Sequence, residues 1–231
     1  MERIGIIGAM EEEVSALIDR FNDIKVVSYG LLDFVMARLE NKEIIIVKCG
    51  IGKVNAAMCT QILIDKFDVS AIINTGVAGG IDSKIKIGDI VVSSAAIHHD
   101  FDTTAFGNRL GEIPRMDLST FPADEKLVEI ALDASYSVVG KERTHLGLIA
   151  SGDQFISSYE QKEKIAAYFQ AACAEMEGAA IAHVAYLNRV PFVIIRAISD
   201  QADSGAAENF NEFLTRIVPQ LNDVVYSVCS R

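Results

Sequence analysis

Four charged side chains stand in apolar text where charge is costly: Glu175, Glu177, Arg196 and Asp200, all within Cys173–Asp203. An unpaired buried carboxylate or guanidinium is strongly unfavourable, so such groups are either paired or put to use. Glu175 and Glu177 are two apart. On an extended chain their carboxylates share one face and Met176 takes the other. Arg196, Ser199 and Asp200 follow from Pro191–Ile198, a run that reads as a buried parallel strand. They fall at its C-terminal end, where open α/β sheets bind ligands. A competing reading places both glutamates at the start of an Ala-rich helix, favourable to its dipole, with Arg196 as their structural ion-pair partner. A further carboxylate comes from Glu11-Glu12-Glu13, at the opening of the first helix. The dipole explains acidic residues there, and one of them could still reach over the strand end into a cleft.

The elements that must position these groups alternate along the chain. Arg3–Gly8 is a first strand, and the helix after it carries Val14, Leu17 and Ile18 at helical spacing. Lys25–Gly30 and Phe34–Glu40 form a hairpin-like pair, followed by an apolar strand, Glu43–Cys49. Gly50-Ile51-Gly52 turns into a helix over Lys53–Phe67. Ala71–Asn74 is a short buried strand running into the glycine-rich Thr75–Gly80. That segment either lets backbone approach a ligand or is a tight turn, and it lacks the spacing of a nucleotide-binding fingerprint. Ile87–Ser94 and His145–Ala150 read as strands, Asp124–Ser137 and Glu160–Phe169 as helices. Phe210–Val228 reads as a long C-terminal helix that Pro219 should kink or break. Asp100–Ala123 has no periodicity, and a connection of that length is usually functional or buried at an interface. Strands alternating with helices predict a single α/β domain over residues 1–231, with a mixed, mostly parallel sheet.

Composition narrows the partners. The charge balance of 21 basic against 32 acidic residues, net −11, argues against nucleic acid or an anionic membrane. Cys49, Cys59, Cys173 and Cys229 have no C-x-x-C spacing and sit in apolar runs, so buried free thiols are expected. The apolar start, Ile4–Met10, is too short for a signal sequence and meets three glutamates at once. A reducing cytoplasm is the expected compartment. His98-His99-Asp100 resembles a metal motif, but neighbours on extended chain point apart, so no metal site is expected there.

With these residues in view, the chain resembles the 5′-methylthioadenosine/S-adenosylhomocysteine nucleosidases of the nucleoside phosphorylase/hydrolase superfamily. The matching text is IGIIGAMEEEV (Ile4–Val14), INTGVAGG (Ile73–Gly80), SGDQFI (Ser151–Ile156), EMEGAAIAHVA (Glu175–Ala185) and VPFVIIRAISDQAD (Val190–Asp203). The resemblance implies a three-layer α/β/α sandwich around a mixed, partly barrel-like sheet, acting as a homodimer without metal or organic cofactor. It implies hydrolysis of an N-glycosidic bond to give adenine and a 5-thio-substituted ribose, in methionine salvage. It makes Asp200 the general acid at adenine N7 and lets Glu13 hold or activate the attacking water. Glu177 would accept from the ribose hydroxyls. Met176 and Phe155 would line sugar and base, with the Ile156 backbone reading the adenine edge. Ser199 and Arg196 would support the acid and the polar shell, Arg196 pairing with a carboxylate, and Glu175 is a candidate substrate-binding residue. Ala78 and Gly79 fall near the base, while Met10, Ile51 and Phe210 would wall the thioalkyl end. Thr103, Phe106 and Pro114 match positions that family dimers lend to the neighbour's pocket. Val77 departs from the pattern, standing where many relatives carry Ser.

The chemistry fits these residue types. Protonation at N7 makes adenine a neutral leaving group, so an acid must be poised near the operating pH. The sugar becomes oxocarbenium-like as the bond breaks, and carboxylates beside it then gain. Alternatives are a nucleoside phosphorylase, a nucleosidase for another 5′-substituted adenosine or a futalosine-type substrate, and a non-catalytic nucleoside-binding module. Phosphate as nucleophile needs arginines and amides, and Glu13 would repel it.

Overall fold

The computed structural model of the chain describes residues 2–203 and 205–231, and their side chains except those of 207–212, 214 and 215. β1 (Glu2–Gly8) lies parallel between β4 (Lys42–Lys48) and β5 (Ala71–Gly80). The hairpin β2 (Lys25–Tyr29) and β3 (Leu32–Leu39) extends the sheet antiparallel beyond β4. On the other side β5 pairs with β10 (Phe192–Asp200) in parallel and with β9 (Cys173–Glu175) antiparallel. β8 (Thr144–Ser151) joins β9 to β6 (Ile90–His98), and β6 returns to β10. β5, β9, β8, β6 and β10 therefore close on themselves. The short β7 (Thr120–Pro122) pairs with β6.

Two apolar layers sandwich this mixed sheet. On one face α2 (Lys53–Phe67) and α5 (Gly178–Asn188) bury Cys59, Leu63, Ile181 and Ala185. On the other, α1 (Glu11–Ile18), α3 (Glu125–Val139) and α6 (Ala206–Cys229) bury Leu17, Ala134, Leu221 and Val225. α4 (Tyr159–Phe169) packs Ile165 against Ile156 and Ala174. The expected three-layer arrangement with a partly barrel-like sheet is the one observed. All four cysteines are buried and free.

Two expectations need correction. The glycine-rich Thr75–Gly80 is no turn: β5 continues through it, paired with β10 and β9. Its glycines serve close approach within the sheet instead. Pro219 does not break α6, which runs on through it with Ile217, Leu221 and Val225 packed on either side. The long Asp100–Ala123 segment holds a short helical turn at Thr104–Phe106 and β7.

Candidate active site

The C-terminal ends of β1, β5, β9 and β10 converge on one cavity of about 110 Å³. Its wall includes Ala9, Met10, Glu13, Ile51, Val77, Ala78, Gly79, Phe155, Ala174, Glu175, Met176, Glu177, Ser199 and Asp200. A larger cavity of about 870 Å³ runs along the 102–120 segment, but none of these carboxylates lies on it. We assign the chemistry to the smaller one, where polar groups converge in an apolar recess.

Glu13 sits in the first turn of α1 and is only 3% exposed, whereas Glu11 and Glu12 face solvent. One carboxylate oxygen accepts from the Ala9 and Met10 N–H groups at 2.7 and 2.9 Å, the other from Val77 N–H at 3.0 Å. Burial pushes its pKa above the ordinary carboxylate value, against the pull of Arg196 and these amides. Gly76 makes the approach possible, since a Cβ there would lie 2.5 Å from Glu13 Oε1 and 2.6 Å from Arg196 Nη1.

Asp200 closes β10 beside a register shift against β5, with Ser199 as the extra residue. Its carboxylate accepts from Ser199 Oγ and from Ala202 N–H, each at 2.8 Å. Burial raises its pKa, and those two bonds partly offset the rise. A Cβ on Gly79 would come within 2.8 Å of Asp200 Oδ1, so glycine leaves that carboxylate its place.

Glu175 and Glu177 divide the two readings of their segment. The chain leaves the extended state after Glu175, and Glu177 becomes the N-cap of α5. The expected alternation is therefore lost, and Glu175, Met176 and Glu177 all line the cavity. Glu175 accepts from Ser151 Oγ, from the Glu177 and Gly178 N–H groups and from Arg196 Nη2. Burial alone would push it up, but Arg196 with the Ser151 and Gly178 donors holds it below the ordinary value. Each Glu175 oxygen already accepts two or more bonds, whereas Glu13 Oε1 accepts one, so Glu175 is engaged with Arg196 and the start of α5. Among the described residues Glu177 accepts only from Gly52 N–H, at 2.8 Å, and it lies 4.0 Å from Arg196 Nη2. Burial and the neighbouring Glu175 push its pKa up to about 7.

Arg196 is buried behind this wall. Besides Glu175 it donates to Asn74 Oδ1 at 2.6 Å. Burial works against its charge, but Glu175, Glu177 and Glu13 outweigh it and keep the guanidinium firmly cationic. Asn74 in turn donates to Ile7 C=O at 2.9 Å.

Of the residues expected at the site, Met10, Glu13, Ile51, Ala78, Gly79, Phe155, Glu175, Met176, Glu177, Ser199 and Asp200 come together on the cavity. Ile156 is not on its wall, its side chain packing with Ile165 and Ala174 instead. Thr103, Phe106 and Pro114 are not on it either, and Phe106 is 86% exposed. The Phe210 side chain lies outside the described residues. Val77 packs with Val218 and Met10, so an apolar patch stands where a hydroxyl is common. The sequence reading passed over Asn74, Ser151 and the Gly52 amide. A polar residue closing an apolar strand was the available signal for Asn74; nothing in the sequence marks an amide.

Among the described residues no group of three or more His, Cys, Asp and Glu could hold a metal ion. No described helix is long and apolar enough to cross a membrane.

Comparison with known proteins follows this geometry. The family model described as phosphorylase superfamily matches residues 3–230. The 5′-methylthioadenosine/S-adenosylhomocysteine nucleosidase of Staphylococcus carnosus (strain TM300) is 43% identical over 225 residues, 96% of each chain. The solved nucleosidase of that description from Neisseria meningitidis, in complex with methylthio-immucillin-A, gives a TM-score of 0.95 at 38% identity over 100% of this chain and 99% of its own. The futalosine hydrolase of Helicobacter pylori strain 26695 gives 0.94 at 34% identity, over 99% and 97%.

Proposed function

The chain belongs to the 5′-methylthioadenosine/S-adenosylhomocysteine nucleosidases of the phosphorylase superfamily, and from that premise we propose how its pocket works. It is a hydrolase that cleaves the N-glycosidic bond of both nucleosides, yielding adenine and a 5-thio-substituted ribose. That reaction serves methionine salvage and the recycling of methyl-transfer by-products.

The observation that carries the mechanism is that Glu13, Glu177 and Asp200, each buried, share one cavity whose wall has no cationic side chain among the described residues. Burial raises the proton affinity of all three, and at Glu177 the neighbouring Glu175 and Glu13 add to the rise. The three carboxylates gain when positive charge develops on a sugar between them. Asp200, with its raised pKa, gives its proton to adenine N7 and makes the base a neutral leaving group. Ser199 orients the Asp200 carboxyl through its hydroxyl. Glu177 accepts from the ribose 2′- and 3′-hydroxyls, with the Gly52 amide holding its other oxygen. Glu13, fixed by the Ala9, Met10 and Val77 amides, aims the water and takes its proton. Phase by phase the protons balance: one leaves on adenine from Asp200, and one is gained from water by Glu13.

Among the described residues the charged side chains on the wall are all acidic, and Arg196 is already held by Glu175 and Asn74, so phosphate would be repelled. This favours water as the nucleophile over phosphorolysis. The likeness to a futalosine hydrolase favours a second reading of the same chemistry on a bulkier 5′ substituent.

The partner needed to complete the site is a second copy of the chain. Ile51, expected at the thioalkyl end, walls the cavity yet is 54% exposed, so that end stands open in one chain. Thr103, Phe106 and Pro114 of a neighbour would close it, and exposed Phe106 is the apolar member. We place the dimer in the cytoplasm, as one domain over residues 1–231. The test is adenine release from a panel of 5′-substituted adenosines and futalosine, with and without phosphate. Adenine with free thio-ribose, independent of phosphate, supports hydrolysis; ribose 1-phosphate contradicts it.

A further inference from the structure

Two loops form the exposed lip of the cavity, one carrying Ile51 and the other Phe155. They come from distant parts of the sequence, and no secondary structure joins them. A third residue, Asp100, lies off the cavity wall and binds both. Its Oδ1 accepts from Lys53 Nζ at 2.5 Å, and its Oδ2 accepts from Asp153 N–H at 2.9 Å. The circuit closes through the Asp153 side chain, whose Oδ1 accepts from Lys53 N–H at 2.8 Å. Lys53 and Asp100 are mostly buried, with side-chain exposures of 20% and 16%. Burial alone would raise the Asp100 pKa, yet Lys53 and the Asp153 amide bring it below the ordinary value. An ion pair so placed is stronger than a surface pair and is geometrically fixed by three bonds.

We propose that Asp100, Lys53 and Asp153 form a clasp that positions the lip loops and aims the Gly52 amide at Glu177. The residue order carries this. Ile51 and Gly52 immediately precede Lys53, and Phe155 stands two residues after Asp153. Gly52 has φ +98°, and a Cβ there would press on Asp153 Oδ1 at 3.1 Å, so the turn fits the clasp only as glycine. When the clasp opens, the lip residues lose their fixed places and the Gly52 N–H drifts from Glu177 Oε1. None of the three touches the reacting atoms, so all are positioning residues.

The inference rests on the nucleosidase reading for its assay, and it separates from that reading as follows. Lys53→Met removes the ammonium and keeps the backbone donor; Lys53→Arg keeps the charge. Loss of the ion pair should raise KM about 5- to 10-fold and change kcat less, an effect expected for one charge-assisted bond. The acid limb of the kcat/KM profile should move to higher pH, because Glu177 loses a donor to its charged form. The other groups facing Glu177, namely Glu175, Arg196, Glu13, Cys49 and Asp200, are untouched by the substitution. Lys53→Arg should recover most of the loss. Amide exchange at Gly52 and Asp153 should quicken in Lys53→Met, and Asp100→Asn should repeat the pattern if that variant folds poorly. A KM and acid limb within about twofold of wild type, or a fall in kcat alone, overturns the clasp. If wild type releases no adenine, the nucleosidase reading fails by itself. Binding of an unreactive adenosine analogue, with the exchange data, then judges the clasp: unchanged affinity in Lys53→Met overturns it.

Discussion

The guanidinium of Arg196 bonds Glu175 directly and stops 4.0 Å short of Glu177. One of two nearly adjacent glutamates is thus neutralised inside the protein, and the other is left facing the cavity with its pKa raised to about 7. If Glu177 must be ionised to accept from the ribose hydroxyls, kcat/KM should fall as pH drops through about 7. Glu177→Gln should be much slower and should lose that limb. A wild-type limb near the ordinary value of 4.5 would contradict the assignment.

The same pair makes opposite predictions for stability. Glu175→Gln leaves Arg196 buried without its main counter-charge, and should cost about 3–5 kcal/mol in denaturant unfolding. Glu177 has a raised folded pKa, so its contribution is fully present below the unfolded value and is lost as pH rises through about 7. Glu177→Gln should therefore stabilise the protein relative to wild type above that pH, by roughly 1–3 kcal/mol, and give no such gain in acid. Equal effects of the two substitutions at high pH would mean that the charges are not divided in this way.

Gly76 offers a test of Glu13 that leaves Glu13 in place. A methyl at this position would sit 2.5 Å from Glu13 Oε1 and 2.6 Å from Arg196 Nη1, so it must push the carboxylate off the Val77 amide. Gly76→Ala should lower kcat by about 10²-fold, the scale of a misplaced catalytic group. Circular dichroism melts at the assay temperature check that the variant is folded. Full activity in a folded Gly76→Ala would remove Glu13 from the reaction.

Phe106 tests the borrowed wall. Phe106→Ala should raise KM for the methylthio substrate about 5-fold or more, as expected for a contact with an apolar anchor, and leave kcat nearly unchanged. Sedimentation at micromolar concentration should give a dimer. A fully active monomer would sink the shared-site account.

The sequence made much of this legible because the polar residues of the site interrupt long apolar runs. Arg196 and Asp200 stand out in β10 for that reason, Arg196 midway along the strand and Asp200 at its end. Composition also foretold the buried free cysteines. What it hid depends on contacts made across the chain. Glu13 differs from Glu11 and Glu12 only in which way α1 turns it, toward Arg196 and the Val77 amide. The split between Glu175 and Glu177 follows from Ser151 and Arg196 reaching one and missing the other. Thr75–Gly80 reads as a turn by local chemistry, yet pairing with β10 and β9 keeps it in the sheet. The glycine pattern there reflects the space that Glu13, Arg196 and Asp200 occupy, which no local rule contains.

Asp200 carries the central claim, and two structural facts pull in different directions. Its raised pKa suits a proton donor, while its bond to Ala202 N–H would serve equally in a simple turn cap. Asparagine keeps the shape and the cap but has no proton to give in the useful range. The decisive measurement is kcat for adenine release by Asp200→Asn, with the affinity of an unreactive analogue measured on the same protein. Loss of general acid catalysis predicts a fall of about 10²–10⁴ in kcat with affinity changed far less. A kcat within about threefold of wild type would contradict the account, because general acid catalysis is worth much more than that.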